Sequence, residues 1–264
     1  MDLHLAGKTA LVSGSTAGIG FAIAKGLARE GATVYLNGRT EERVQEAARA
    51  ITAEHAGAEL RGVAADLGTP EGANILFREL PAVDILINNL GIFEPKQFED
   101  ITDEEWRRFF EVNVLSGIRL ARHYAPAMRK RGWGRIMFIS SESGVQIPVE
   151  MIHYGVTKTA QLAVARGLAE SLVGTGVTVN SILPGPTRSE GVEQFIKDMA
   201  THESKTEQEV ERDFFKSARP SSLIQRFATT EEVANLVVYV ASELSSATTG
   251  AALRVDGGVV RSIL

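Results

Sequence analysis

Thr9-Ala10-Leu11-Val12-Ser13-Gly14-Ser15-Thr16-Ala17-Gly18-Ile19-Gly20, running on into Phe21–Glu30 (FAIAKGLARE), joins a short apolar run to a helical pattern through three glycines. Its short apolar start predicts a strand over Thr9–Ser13, and the spacing that follows predicts a helix over 18–29. The glycines between them let a backbone approach a pyrophosphate closely, and the helix N-terminus offers free N–H groups and a favourable dipole. Their spacing is G-x-x-x-G-x-G, not the more usual G-x-G-x-x-G. No Gly-Lys-Ser/Thr is present, which disfavours a nucleoside-triphosphate P-loop. Taken alone, the turn also suits a plain strand-to-helix connection.

Outward from that turn the same unit repeats. Strands are expected at Thr9–Ser13, Thr33–Asn37, Arg61–Ala65, Asp84–Asn88, Arg135–Ser140, Val177–Ser181 and Ala251–Val255. Helices are expected at about 18–29, 41–54, 70–79, 103–129, 152–172 and 230–242. This alternation implies right-handed crossovers and an α/β fold with a parallel sheet covered on both faces. The runs ALV, DILI and IMFI lack polar alternation, as strands buried on both sides should. One stretch, about 187–222, is polar with scattered apolar anchors, and it reads either as a solvated helical excursion or as a lid over a substrate cleft. No linker divides the chain, so residues 1–264 are expected to form a single domain carrying that insertion.

Composition narrows the function classes. The chain contains no cysteine, which excludes thiol nucleophiles, cysteine-ligated zinc and disulfides, and no metal site is expected. A net charge of −5 without a basic run argues against a nucleic-acid partner. No window approaches the roughly 18 apolar residues of a membrane span, and the N-terminus does not resemble a signal peptide. A soluble, cytoplasmic protein is the expectation.

The end of the second strand reads Asn37-Gly38-Arg39-Thr40, without the acid that holds ribose hydroxyls in NAD-binding relatives of this fold. Arg39 instead offers a planar fork suited to a 2′-phosphate, so NADP(H) is favoured over NAD(H). Tyr154 and Lys158 stand at i and i+4 at the start of a helical segment and share a helix face. A lysine cation favours the phenolate of a tyrosine whose free pKa is about 10, making it a usable acid or base. The fifth strand ends in Ser140-Ser141-Glu142-Ser143, at the carboxyl edge where such sheets bind ligands. A serine there can hold a carbonyl oxygen while the tyrosine donates the proton. His153 adjoins Tyr154 but does not share its helix face.

With these motifs in order, the chain resembles the short-chain dehydrogenases/reductases over nearly its whole length. The resemblance rests on Gly14-x-x-x-Gly18-x-Gly20, Asp66, Asn88-Asn89-Leu90-Gly91, Asn113, Ser141, Tyr154, Lys158, Pro184-Gly185 and Asp256-Gly257-Gly258. It implies a doubly wound parallel sheet (Rossmann fold) of about seven strands in order 3-2-1-4-5-6-7. It also implies that Tyr154 is the acid/base, that Ser141 orients the carbonyl, and that Lys158 lowers the tyrosine pKa and binds the nicotinamide ribose. Ser141 rather than Ser140 matches the family's spacing to the tyrosine. Asn113 would hold a water linking Lys158 to solvent. Cofactor contacts would come from Gly14, Ser15, Thr16, Gly18, Ile19, Gly20, Arg39, Asp66, Leu67, Asn88, Gly91, Tyr154, Lys158, Pro184, Gly185 and Thr187. A homotetramer or homodimer is the family's usual assembly.

Three departures stand out. Leu90 replaces the family's alanine and is read as harmless repacking. Ala17 stands where many NADP-preferring relatives carry a basic residue, leaving Arg39 as the main phosphate reader. Glu142, less usual after the serine, is read either as solvent-facing or as biasing the pocket against anions. Ile92, Phe93, Val145, Ile147, Val149 and Met151 suggest a pocket for a small, fairly apolar carbonyl or alcohol. The competing readings are a non-catalytic dinucleotide-binding sensor and another Rossmann-like enzyme such as a methyltransferase.

Overall fold

The computed structural model describes residues 2–263. Its strands are β1 (Thr9–Val12), β2 (Thr33–Gly38), β3 (Leu60–Ala64), β4 (Ile85–Asn88), β5 (Gly134–Ile139), β6 (Val177–Pro184) and β7 (Ala252–Val255). They form one sheet in the order β3-β2-β1-β4-β5-β6-β7, with every neighbouring pair parallel. Strand order reverses between β1 and β4, so the loops leaving those two strands diverge and leave a crevice at their carboxyl ends.

The helices are α1 (Gly18–Arg29), α2 (Glu41–Glu54), α3 (Pro70–Glu79), α4 (Asp103–Phe110), α5 (Ser116–Arg131), α6 (Ile152–Ser171), α7 (Glu190–Glu203), α8 (Glu207–Ser217) and α9 (Thr230–Ala241). One face of the sheet is covered by α1, α2 and α9 through Ile23, Leu27, Val44, Ile51 and Val237. The other is covered by α3, α5 and α6 through Leu76, Leu120, Tyr124 and Ala165. Burial on both faces explains why the strands carry unbroken apolar runs.

Two features differ from the expectation. The helix expected over 103–129 is interrupted by a π-helical turn, Glu111–Leu115, which separates α4 from α5 and carries Asn113. The sixth strand runs on to Pro184, because Ile182 and Leu183 are buried and pair with β7 before the proline ends it.

The insertion is helical but not simply solvated. It leaves and rejoins the fold at one point, where Thr187 bridges to Ala228. Its apolar residues, scattered in sequence, converge: Ile196, Ala200, Val210, Phe215 and Phe227 form a separate small core. The rings of Phe214, Phe215 and Phe227 meet at 5.0–5.1 Å. A capping box between Thr206 and Glu209 starts α8.

Candidate active site

The crevice between β1 and β4 is shaped by the glycine turn. Gly14 and Gly18 take φ of +61° and +57°, a region that L side chains rarely adopt. A Cβ on Gly20 would lie 2.4 Å from the Gly14 carbonyl oxygen and from Asn89 Nδ2. Asn89 Nδ2 donates to the carbonyls of Ser13 and Gly14, and Ser13 Oγ accepts from the N–H groups of Asn89 and Leu90. These bonds tie the loop after β4 to the turn after β1. Leu90 packs against the α3/α5/α6 core, as a repacked residue would.

The residues present fit a dinucleotide. Helix α1 begins at Gly18 with no side-chain cap and no acid in its first turn, whereas α2, α3, α4, α8 and α9 all carry a threonine cap. Its first N–H groups, Ile19 and Gly20 among them, therefore face the crevice without a competing side chain. Both amide atoms of Asn88 are buried without a partner, an arrangement that is costly unless a ligand completes it. Arg39 is exposed at the tip of β2 and forms no ion pair among the described residues. Asp66, exposed after β3, lines a cleft of about 410 Å³ together with Gly68, Thr69 and Val112. At the far end stand Pro184 and Gly185, with the Thr187 hydroxyl donating to the Gly185 carbonyl at 2.9 Å.

Two predicted contacts also have structural partners. Ser15 is fully buried, with its N–H donating to the Asn37 carbonyl and its Oγ accepting from the Asn37 N–H at 2.9 Å. Its hydroxyl therefore braces the turn against β2. The Leu67 side chain belongs to the core.

The reactive groups lie on the other side of the crevice. Tyr154 is partly exposed near the start of α6, with the Lys158 Nζ 5.5 Å from its ring centroid. The two consecutive serines after β5 divide: Ser140 Oγ donates to the Lys158 carbonyl at 2.8 Å and anchors α6, while Ser141 lies beside the Tyr154 phenol. Lys158 Nζ donates to the Ile139 carbonyl at 2.9 Å and to Gln161 Oε1 at 3.4 Å. Asn113 Nδ2 donates to Ile92 O and to Thr157 Oγ1, and its Oδ1 accepts from Ile92 N. The Asn113 side chain thus fixes the loop that carries Ile92, while its backbone carbonyl accepts from Gln161 Nε2 at 2.5 Å. Gln161 therefore joins Lys158 to Asn113 directly, a link that the tyrosine–lysine spacing does not announce. Its amide orientation is fixed by chemistry, since the oxygen must face the ammonium and the nitrogen the carbonyl.

Protonation runs against the simple expectation. The Tyr154 pKa is raised, first by burial and then by the Glu142 carboxylate, while Ser141 and Arg219 lower it. Burial pushes Lys158 down to about 8. The phenol is thereby held in its acid form, and Lys158 is left close to its titration point near neutral pH.

Glu142 is not solvent-facing. It is buried, and its Oε2 accepts from the Ser141 hydroxyl, from Ser143 N at 2.9 Å and from Ser143 Oγ at 3.1 Å. Its Oε1 accepts from Arg219 Nε at 3.1 Å, and Arg219 Nη1 reaches Glu150 at 3.2 Å. His153 points away, its buried ring 4.0 Å from Phe109 and 6.0 Å from Trp106, and burial lowers its pKa. The cleft mouth is apolar, with Phe93 edge-on to Tyr154 and Val145, Ile147 and Val149 exposed around it.

No group of three or more potential metal ligands occurs among the described residues, and none of their helices is long and apolar enough to cross a membrane. A family model described as Enoyl-(Acyl carrier protein) reductase matches residues 14–260. The chain is 53% identical to an uncharacterized oxidoreductase of Bacillus subtilis (strain 168), YvaG, with both chains covered in full. It is 34% identical to the 3-oxoacyl-[acyl-carrier-protein] reductase of Aquifex aeolicus, covering 98% of this chain and 100% of the other. Among solved structures, L-sorbose reductase from Gluconobacter frateurii, complexed with NADPH and L-sorbose, superposes with a TM-score of 0.93 at 33% identity over the whole of both chains.

Proposed function

The chain belongs to the short-chain dehydrogenase/reductase family of oxidoreductases, and from that premise we propose that it is an NADP-preferring enzyme interconverting a carbonyl and an alcohol on a small molecule, with Tyr154 as acid/base. One observation carries the reading: the Tyr154 phenol, the Ser141 hydroxyl and the Lys158 ammonium lie together on the same crevice as the glycine turn. A nicotinamide, when bound, would supply the hydride. Gly14, Gly18, Ile19 and Gly20 would receive its pyrophosphate, Thr16 and Arg39 the 2′-phosphate, and Asp66, Leu67 and Asn88 the adenosine side. Gly91, Lys158, Pro184, Gly185 and Thr187 would line the nicotinamide end.

Ser141 donates its hydroxyl to the carbonyl oxygen, and Tyr154 gives that oxygen its proton, so two donors meet the developing alkoxide. The raised phenol pKa keeps Tyr154 protonated, which suits reduction near neutral pH. Alcohol oxidation needs the phenolate and gains as pH rises. Lys158, held by Ile139 and Gln161, faces the ring, and its positive charge favours that phenolate. The apolar mouth suits an apolar substituent on the substrate, above a floor that contains the Glu142–Arg219 pair.

Support for NADP comes from Arg39 and from the NADPH-bound L-sorbose reductase. The test follows the reduced nicotinamide absorbance over a panel of ketoses, 3-oxoacyl thioesters and apolar ketones with NADPH and with NADH. Substrate-dependent loss of absorbance, faster with NADPH, is expected. Thermal stabilisation by the cofactor without turnover on any member would instead mark a dinucleotide sensor.

A further inference from the structure

The insertion reaches the Ser141 side of the site through Arg219. Arg219 follows α8 and is largely buried, with its side chain 11% exposed and that of Glu142 6% exposed. It bridges the two ends of the loop between β5 and α6: Glu142 beside Ser141, and Glu150 in the short turn just before α6. We propose that Arg219 is a positioning residue for proton transfer, which fixes the Glu142 carboxylate and neutralises it beside the Ser141 hydroxyl and the Tyr154 phenol. This rests on the reading of Tyr154 as acid/base.

The geometry gives Arg219 two consequences. First, Glu142 Oε2 already receives Ser143 N and Ser143 Oγ, while Arg219 holds Oε1. The carboxylate therefore stays satisfied when the Ser141 hydroxyl turns its proton from Glu142 to a substrate oxygen. Without Arg219, the buried charge would hold that proton and keep the serine aimed away from the substrate, because an uncompensated buried carboxylate clings to every donor it has. Second, the charged groups facing the phenol are Glu142 from the turn after β5, Arg219 from the segment after α8, and Lys158 from its own helix. Glu150 lies on the far side of Arg219. Glu142 opposes the phenolate and Arg219 favours it, so seating of the α7–α8 insertion sets the balance between them.

The test is a double-substitution cycle on the NADP⁺-bound protein, with Arg219→Met, Glu142→Gln and the pair. Two readouts are followed: the pH profile of kcat/KM for alcohol oxidation, and the ionisation of Tyr154 by NMR of tyrosine isotopically labelled at Cζ. The chain has four tyrosines, so Tyr154→Phe assigns the resonance. Arg219→Met is expected to shift the profile and the resonance titration to higher pH and to lower kcat/KM at neutral pH by roughly tenfold or more. Glu142→Gln is expected to shift both to lower pH, and the pair to return them near the parent. A residue that merely held the loop together would lower activity without opposite shifts. An unshifted titration in Arg219→Met, shifts of the same sign in both single variants, or no recovery in the pair would overturn the proposal. If Arg219→Met does not fold, Glu142→Gln carries the test alone: an unchanged or upward shift overturns it. The NMR arm needs no turnover, so failure to find a substrate would count against the proposed function and leave this inference to be decided separately.

Discussion

The two sides of the crevice are built on different principles. The side formed by β1, β2 and β4 is made of backbone. Glycines at positive φ, an uncapped helix N-terminus and an asparagine clasp between neighbouring loops shape it. The side formed by β5, α6 and the insertion is made of side chains that meet across long sequence separations, Glu142 with Arg219 above all. A backbone-built half suits a ligand part that never changes, such as a pyrophosphate. A half built from side chains can be retuned by substitution, and that is where substrate preference is free to change without disturbing the cofactor's seat.

The largest expected effect on the binding of both cofactors breaks the backbone half. Gly20→Val places side-chain atoms against the Gly14 carbonyl and Asn89, where a Cβ alone would already stand at 2.4 Å. Overpacking of this kind costs about 1–3 kcal/mol, and it should weaken NADPH and NADH alike by roughly 10–100-fold in a binding titration. Equal affinity to the parent would show that the turn does not seat the cofactor.

Arg39→Ala probes the charged side chain proposed to read the 2′-phosphate. A charge-assisted contact to a 2′-phosphate is worth about 1.5–3 kcal/mol, so NADPH affinity should fall about 10–100-fold while NADH is almost unaffected. Parallel losses would show that Arg39 does not distinguish the two cofactors.

A smaller change sharpens the side-chain half. Gln161→Leu removes the acceptor that favours the Lys158 ammonium, already lowered to about 8 by burial. Its pKa should fall further, so the alkaline limb of the kcat/KM profile for carbonyl reduction should move to lower pH, with a several-fold loss at its upper end. A profile that keeps its shape would make Gln161 a packing residue only.

The same contrast explains what the sequence makes legible. The glycine turn, the strands and helices α1–α3 are written in local spacing, and the three helices begin and end at the expected residues. Tyr154 with Lys158 and the serine after β5 are likewise local signals. The π-helical turn at Glu111–Leu115 left little mark, since one widened turn barely disturbs helical periodicity. The insertion reads as weakly apolar because its core residues, Ile196, Val210, Phe215 and Phe227, are spread over two helices and the segment that leads into α9. Glu142 could not be placed from its neighbours, because its partner Arg219 lies 77 positions away. The bond that Ser15 Oγ accepts from the Asn37 N–H joins residues 22 positions apart and leaves no local signal.

On the proposed mechanism the phenol of Tyr154 exchanges the proton and is not needed to hold the cofactor. Tyr154→Phe, measured for turnover and for NADPH affinity on the same preparation, tests it most directly. Tyr154→Phe should lower kcat by about 10²–10⁴-fold, the range of general acid–base catalysis, with NADPH affinity unchanged. Turnover at the parental rate in that variant would contradict it.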